Sequence, residues 1–278
     1  MHSGTTLKQL RHFDAWFGAH QKIDRVARRN LMRLFGKQPP YFPSNKAIRN
    51  FEGINGPDGI KIKALAAEEP WHFYDPFDPH DDKILIIIKQ HYDDLVQALR
   101  VQDKVRASFE AAWLAHAIVD GLTPAHHYPY KEELLKLHGG QRKISKSIKS
   151  KLVLPGDSLT KQMRNNWKMW GDRGLVSSHL AFEMGIAVII VPLQFVNSHP
   201  SDEDKRELAA DGCIELFRHR ARQIAELGMY DAFCDIGWTP RLAKQVRREL
   251  IPRIINAVTL TWYAAAQEAS ATSGKRKK

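Results

Sequence analysis

Hydrophobic and polar positions recur along the chain with the period of an α-helix. Ile23, Val26, Leu31 and Leu34 follow this spacing and predict a basic helix over Ala19–Phe35. Few segments alternate as strands do. The same pattern predicts helices from Asp82 through ILIIIKQHYDDLVQALR, over 104–119, and around 131–137, 158–170, 176–197, 203–226 and 241–268. The fold is therefore expected to be all-α.

Two segments break this pattern. Residues 36–58 are rich in Pro and Gly and predict a loop. Residues 71–82, WHFYDPFDPHDD, contain Pro76 and Pro79, which forbid a regular helix, so an ordered loop is expected there. Neither segment separates halves of different composition, and we expect one multi-helix domain over residues 1–278.

The composition is that of a globular protein with an excess of positive charge. The net charge of +11 favours anionic partners such as phosphate esters, nucleic acid or an acidic membrane surface. Residues 269–278 are expected to form a basic, solvated tail. The two cysteines lack the spacing of a thiolate zinc site. No signal peptide or membrane span is recognised, which makes a cytoplasmic location the expectation.

The strongest local feature is the segment AAWLAHAIVDGLTPAHH. His116 and Asp120 are four residues apart, so they project from the same face of a helix and could share a metal. Asp120 follows an apolar run, where an isolated carboxylate would be costly to desolvate. His126 and His127 follow just after the turn. This grouping predicts a metal site at the end of the helix.

A second pair, His179 and Glu183, has the same spacing. Glu183 is the sole ionisable residue in the apolar stretch 180–193, so an exposed charged face fits poorly. The alternative to metal ligation is a buried ion pair with an Arg or Lys. Nitrogen and oxygen ligands without thiolates are typical of catalytic zinc sites.

Taken together, HFYDP at 72–76, His91, HAIVD at 116–120, His126 and HLAFE at 179–183 resemble the zinc-dependent phospholipase C and fungal single-strand nuclease superfamily. The resemblance spans roughly residues 12–265. It implies a single all-α domain with a buried cleft that holds several zinc ions. It also implies a phosphodiester hydrolase, in which a metal-activated water attacks phosphorus and Asp75 and Asp120 belong to the catalytic centre.

The resemblance assigns ligands to each ion. One zinc would be held by Asp75, His91, His116 and Asp120, and another by His126, His179 and Glu183. The remaining zinc would take His20 together with Asp120, where family members also use the amine and carbonyl of a terminal Trp. Trp16 lies inside this chain, so His12 or Asp14 would have to substitute, and two or three zinc ions are expected.

Each of the weaker ligands also has an ordinary structural role open to it. His20 could be a residue of an amphipathic helix, His91 a hydrogen-bonded core histidine, and Asp75 the cap of a turn before Pro76. His72, His80 and His127 are expected to lie outside the ligand set.

Residues 136–175 form a basic insertion relative to the family. Its basic and aromatic residues suggest a surface for anionic substrates: Lys143, Lys146, Lys149, Lys161, Arg164, Trp167, Lys168 and Trp170. Such a surface suits single-stranded nucleic acid or an anionic membrane, and a solvated loop is the alternative. No protein partner is inferred.

Three functions therefore stay open at the level of sequence. The first is a phospholipase C-like zinc hydrolase, the second is a single-strand nuclease on the same scaffold, and the third is a helical nucleic-acid or membrane-binding protein without catalysis.

Overall fold

The helix predicted first, here α1 (Ala19–Phe35), shows how apolar spacing builds the fold. Ile23, Ala27 and Leu31 recur on one side and are fully buried. The helix ends at Gly36, whose φ of 69° lies in the left-handed region that glycine adopts without strain. The computed structural model describes residues 18–63, 72–129, 133, 136, 154 and 157–273.

Within these residues every regular element is helical, which confirms the all-α prediction. The other helices are α2 (Asn45–Arg49), α3 (Pro57–Lys63), α4 (Lys83–Arg100), α5 (Lys104–Gly121), α6 (Leu159–Trp170), α7 (Leu175–Ile190), α8 (Asp202–Ala225), α9 (Met229–Ile236), α10 (Pro240–Gln245) and α11 (Ile251–Ser273). Short 3-10 turns occupy Gly53–Asn55 and Pro124–His126, and a π-helical turn, Val246–Leu250, joins α10 to α11.

Helices α4 and α5 form the central pair. A short connection joins them, and the carboxylate of Asp103 begins α5 by accepting hydrogen bonds from the backbone N–H groups of Val105 and Arg106. Helix α5 is buried around most of its circumference. On another side, α11 packs against it, and Trp262 donates its indole N–H to the Ala111 carbonyl at 3.2 Å. Helix α5 is therefore the element around which the core is built.

Several predicted boundaries need correction. The loop predicted at 36–58 contains α2, which Ser44 caps. The helix predicted at 176–197 ends at Ile190, because Pro192 cannot continue it. The tail predicted at 269–278 is helical as far as Ser273, and Ala269 is buried in the core. The helix predicted at 131–137 lies largely outside the described residues.

The stretch Leu159–Ile190 is apolar enough to pass as a membrane span by length and composition. A turn at 171–174 divides it into α6 and α7, and neither helix reaches the ~20 residues that cross a bilayer. No clear transmembrane segment is therefore present among the described residues, and the cytoplasmic location stays a prediction.

Candidate metal centre

The carboxylate of Asp120, near the end of α5, is the centre of a group of buried histidines. Its Oδ1 lies 3.2 Å from Nε2 of His20, and its Oδ2 lies 2.6 Å from Nδ1 of His72 and 3.1 Å from Nε2 of His116. All four side chains are at most 6% exposed. Burial of so many polar groups around one carboxylate requires mutual pairing or a cation.

Four of these side chains could hold one metal ion. Asp58, His72, His116 and Asp120 each offer a ligand atom, and these atoms lie within 4.8 Å of one another. We call them the Asp120 cluster. Asp58 reaches it from the first turn of α3, with its Oδ1 3.8 Å from Nε2 of His116. His20 approaches from α1 and stacks on the His116 ring at a centroid distance of 4.3 Å.

A second group, the Glu183 cluster, consists of His126, His179 and Glu183, whose ligand atoms also lie within 4.8 Å of one another. Oε1 of Glu183 lies 2.9 Å from Nε2 of His126 and 3.2 Å from Nε2 of His179. The predicted i, i+4 pair on α7 therefore faces inward. It meets a histidine that is presented by the turn after α5.

The backbone fixes the orientation of His126. Its Nδ1 donates a hydrogen bond to the carbonyl of His72 at 2.8 Å, which leaves Nε2 unprotonated and directed toward the Glu183 cluster. Metal-binding histidines commonly donate their other ring N–H in this way. The same ring lies 3.9 Å from Oδ2 of Asp120, so His126 stands between the two clusters.

Burial and neighbouring charges shift the pKa values of these groups in different directions. Burial lowers the pKa of His126 to about 4, so its ring is neutral at pH 7, as a ligand must be. Burial would raise the pKa of Asp120 and of Glu183, but the attraction of His116 for Asp120, and the hydrogen bonds of His126 and His179 to Glu183, act against burial, and both pKa values lie well below the ordinary range. Both carboxylates are therefore ionised.

The pKa of His116 moves the other way. Burial opposes its charged form, yet the carboxylates of Asp120 and Asp58 outweigh this and raise the pKa. The pKa of Asp58 falls to about 2, because the attraction of His116 outweighs burial. The protonated form of His116 is thus favoured by its neighbours, and a divalent cation that binds the Asp120 cluster would compete with this proton.

The donor atoms suit a divalent metal. Nε2 of His116 is buried and lies 3.1 Å from Oδ2 of Asp120 and 3.8 Å from Oδ1 of Asp58. Imidazole nitrogens and carboxylate oxygens form the ligand set of catalytic zinc sites, and other divalent ions accept the same donors. The two clusters could therefore bind metal ions, and the zinc assignment stays a prediction.

The structure brings together six of the eight predicted ligands: His20, His116, Asp120, His126, His179 and Glu183. The other two predicted ligands, Asp75 and His91, do not join them. The alternative ligands His12 and Asp14 lie outside the described residues.

Asp75 is exposed and caps a turn. Its Oδ1 accepts a hydrogen bond from the Phe77 backbone N–H at 2.9 Å, the structural role that an Asp before Pro76 often takes. Asp75 belongs to neither cluster, and the catalytic role predicted for it stays a prediction. His72 enters the centre instead, because the backbone from 72 to 75 is not helical and alternate residues face opposite sides: His72 and Tyr74 are buried.

His91 belongs to a separate pair on the α4–α5 interface. Its Nδ1 lies 2.6 Å from Oε2 of Glu110, a fully buried carboxylate that Arg106 also contacts. This arrangement is the hydrogen-bonded core histidine that stood as the alternative to ligation. The second carboxylate of the Asp120 cluster, beside Asp120 itself, comes from Asp58 and not from Asp75.

Sequence reasoning missed Asp58 and His72 as ligands. A faint signal existed for each: Asp58 follows Pro57, a favoured start of a helix, and His72 is two residues from the apolar Tyr74. Their approach to Asp120 is a long-range contact, which local spacing does not reveal.

Part of the basic surface that was predicted to bind anionic substrates lies on α6. Lys161, Arg164, Trp167, Lys168 and Trp170 are all exposed there. Lys143, Lys146 and Lys149 lie outside the described residues.

Comparison of the chain with protein-family models, with curated proteins and with solved structures finds no match. Any functional assignment therefore rests on the geometry of the centre.

Proposed function

We propose that the chain is a zinc-dependent phosphodiester hydrolase of the phospholipase C type. The observation that carries the proposal is the position of Asp120 among ligand-type side chains of both clusters. Asp120, with Asp58, His72 and His116, would hold one zinc ion, and His126, His179 and Glu183 would hold another nearby. Paired ions of this kind are common in enzymes that cleave phosphate esters.

Bound zinc would supply Lewis acidity, binding phosphate oxygens and lowering the pKa of a water near neutrality. The chain supplies the rest. Asp120 and Glu183 provide negative charge to balance the ions, and Asp58 adds a further carboxylate. The His72 carbonyl holds His126 in one tautomer. In the reaction, the water oxygen forms a bond to phosphorus and loses a proton, the ester P–O bond breaks, and the departing alkoxide takes up one proton in its place.

The central test combines metal content with turnover. Purified protein is dialysed against metal-free buffer, analysed for zinc, and assayed with bis(p-nitrophenyl) phosphate, a diester that is neither lipid nor nucleic acid. We expect at least two zinc ions and metal-dependent hydrolysis. His116→Ala should lower the rate at least ~100-fold, because even indirect support of a metal ligand is worth 10–100-fold.

The matched control is His219→Ala, which removes an exposed histidine that contacts Glu207 away from the centre. It should leave the zinc content and the rate of diester hydrolysis unchanged. Zinc-loaded protein that hydrolyses no diester would refute the proposed activity even if the metal site is real. A phosphatidylcholine emulsion and a single-stranded oligonucleotide, assayed side by side, then separate the lipase from the nuclease alternative.

A further inference from the structure

Helix α6 carries an exposed apolar stripe that no other described part of the chain covers. Leu159, Met163 and Trp167 are 79%, 73% and 70% exposed, and they are spaced by four residues along one side of the helix. The sole side chain of α6 that is buried is Met169. Large apolar side chains gathered in this way on a surface mark a contact with a partner or a membrane.

The same helix is basic on the side next to this stripe. Lys161, Arg164 and Lys168 are exposed there, and the helix itself contains no acidic residue. The chain that precedes it is basic in sequence as well, with six Lys or Arg and no Asp or Glu from 136 to 153. An apolar stripe with cationic flanks is the pattern of helices that lie in the interface of an anionic membrane.

Helix α7, the next helix along the chain, carries an exposed apolar stripe of its own. Leu180, Met184 and Val188 are again spaced by four and are exposed. The two ionisable residues of α7, His179 and Glu183, belong to the Glu183 cluster. The outward stripe of α7 is therefore uncharged and runs along a helix that also contributes to the candidate metal centre.

The turn that joins α6 to α7 is tight at its first residue, Gly171. A Cβ atom on Gly171 would lie 2.4 Å from the Trp167 carbonyl oxygen and 2.9 Å from its indole ring, so only glycine allows this approach. The apolar stripes of α6 and α7 thus belong to two adjoining helices, each too short to cross a bilayer. Such a pair could rest in a membrane surface but could not span it.

From these observations we propose that the exposed faces of α6 and α7 dock the protein onto an anionic lipid surface beside the metal centre. Lipid is favoured over single-stranded nucleic acid for two reasons. Five of the six side chains in the two stripes are not aromatic and offer no ring for a base to stack on, and Trp167 is the exception. The stripe of α7 also has no cation to neutralise phosphates.

The test is flotation of the protein with vesicles of phosphatidylcholine, with and without phosphatidylglycerol. The wild type should bind the anionic vesicles more strongly. The stripe variant Leu159→Ser/Met163→Ser/Trp167→Ser should lose at least ~tenfold in partition coefficient, the factor that burial of one large apolar side chain provides. The variant Arg164→Gln/Lys168→Gln should lose about fivefold in partition coefficient for each charge removed, and this loss should occur only with vesicles that contain phosphatidylglycerol.

A matched control removes three other exposed apolar side chains, in Val101→Ser/Val105→Ser/Ile236→Ser, which are 71%, 69% and 71% exposed. It should bind as the wild type does. Binding is read without turnover, and the zinc content of the stripe variant should equal that of the wild type, so this proposal can fail independently of the proposed activity. The proposal would be overturned if the stripe variant and the wild type bound vesicles equally. It would also be overturned if the wild type bound no vesicles and the stripe variant lost binding to an oligonucleotide.

Discussion

Replacing Asp120 by Asn tests whether the buried carboxylate holds metal or only anchors histidines. Asn keeps the shape of the side chain and removes its charge. In the folded chain this charge faces His20, His72 and His116 at 2.6–3.2 Å. Without metal, the loss of a partner from a buried charged group costs about 3–5 kcal/mol, so destabilisation alone does not distinguish the two roles.

The distinguishing quantity is the rise in melting temperature caused by zinc. Free zinc at ~1,000 times its dissociation constant stabilises the folded state by about 4 kcal/mol for each ion. For a chain of this size, 1 kcal/mol shifts the melting temperature by about 2–4 °C. Loss of the ion at the Asp120 cluster should therefore reduce the zinc-dependent rise by at least about 8 °C.

Differential scanning calorimetry of chelated and zinc-loaded protein measures this difference directly. The control, Asp93→Asn, removes a carboxylate that contacts Lys89 at the surface, where a pair contributes at most about 1 kcal/mol. Its zinc-dependent rise should equal that of the wild type. If Asp120→Asn lowers the melting temperature but keeps the whole zinc-dependent rise, Asp120 is a structural anchor and the metal assignment is wrong.

Three further predictions follow from individual side chains. Glu183→Gln should reduce bound zinc by one ion and leave the rest, as measured by elemental analysis; loss of all zinc would contradict two separable clusters. Asp24→Asn should stabilise the protein by about 1–3 kcal/mol at pH 8, because burial and the nearby Glu52 raise the pKa of Asp24. The folded state then binds a proton more tightly than the unfolded state, so the stability of the wild type falls as pH rises above the ordinary carboxyl pKa. In denaturant titrations, the difference in free energy of unfolding between Asp24→Asn and the wild type should be larger at pH 8 than at pH 5. An equal difference at both pH values would refute this prediction. His91→Asn should cost about 1.5–3 kcal/mol through its bond to Glu110 while zinc content stays unchanged, and any loss of zinc would restore His91 to the ligand set.

Local spacing was enough to predict the two helical pairs of the centre. His116 and Asp120, like His179 and Glu183, are four residues apart, and helix geometry alone puts each pair on one face. Apolar neighbours then indicated that these faces are buried. The all-α fold followed from the same periodicity, because repeated apolar positions at helical spacing must be covered by other helices.

The remaining ligands depend on how distant segments meet. Asp58 is the last residue of the predicted loop, and in the structure it lies in the short helix α3. His72 comes from an irregular segment before Pro76. In irregular backbone, spacing does not determine which side chain points inward. The resemblance implied Asp75 as a ligand, but its carboxylate accepts a hydrogen bond from the backbone N–H of Phe77.

A zinc-edge anomalous diffraction map of a crystal grown with zinc tests the central claim most directly. Two separate peaks are predicted at coordination distance, ~2.0–2.2 Å, from side chains of the Asp120 cluster and of the Glu183 cluster. A map without a peak at either cluster, from protein that retains its fold, would contradict the metal centre and with it the proposed hydrolase.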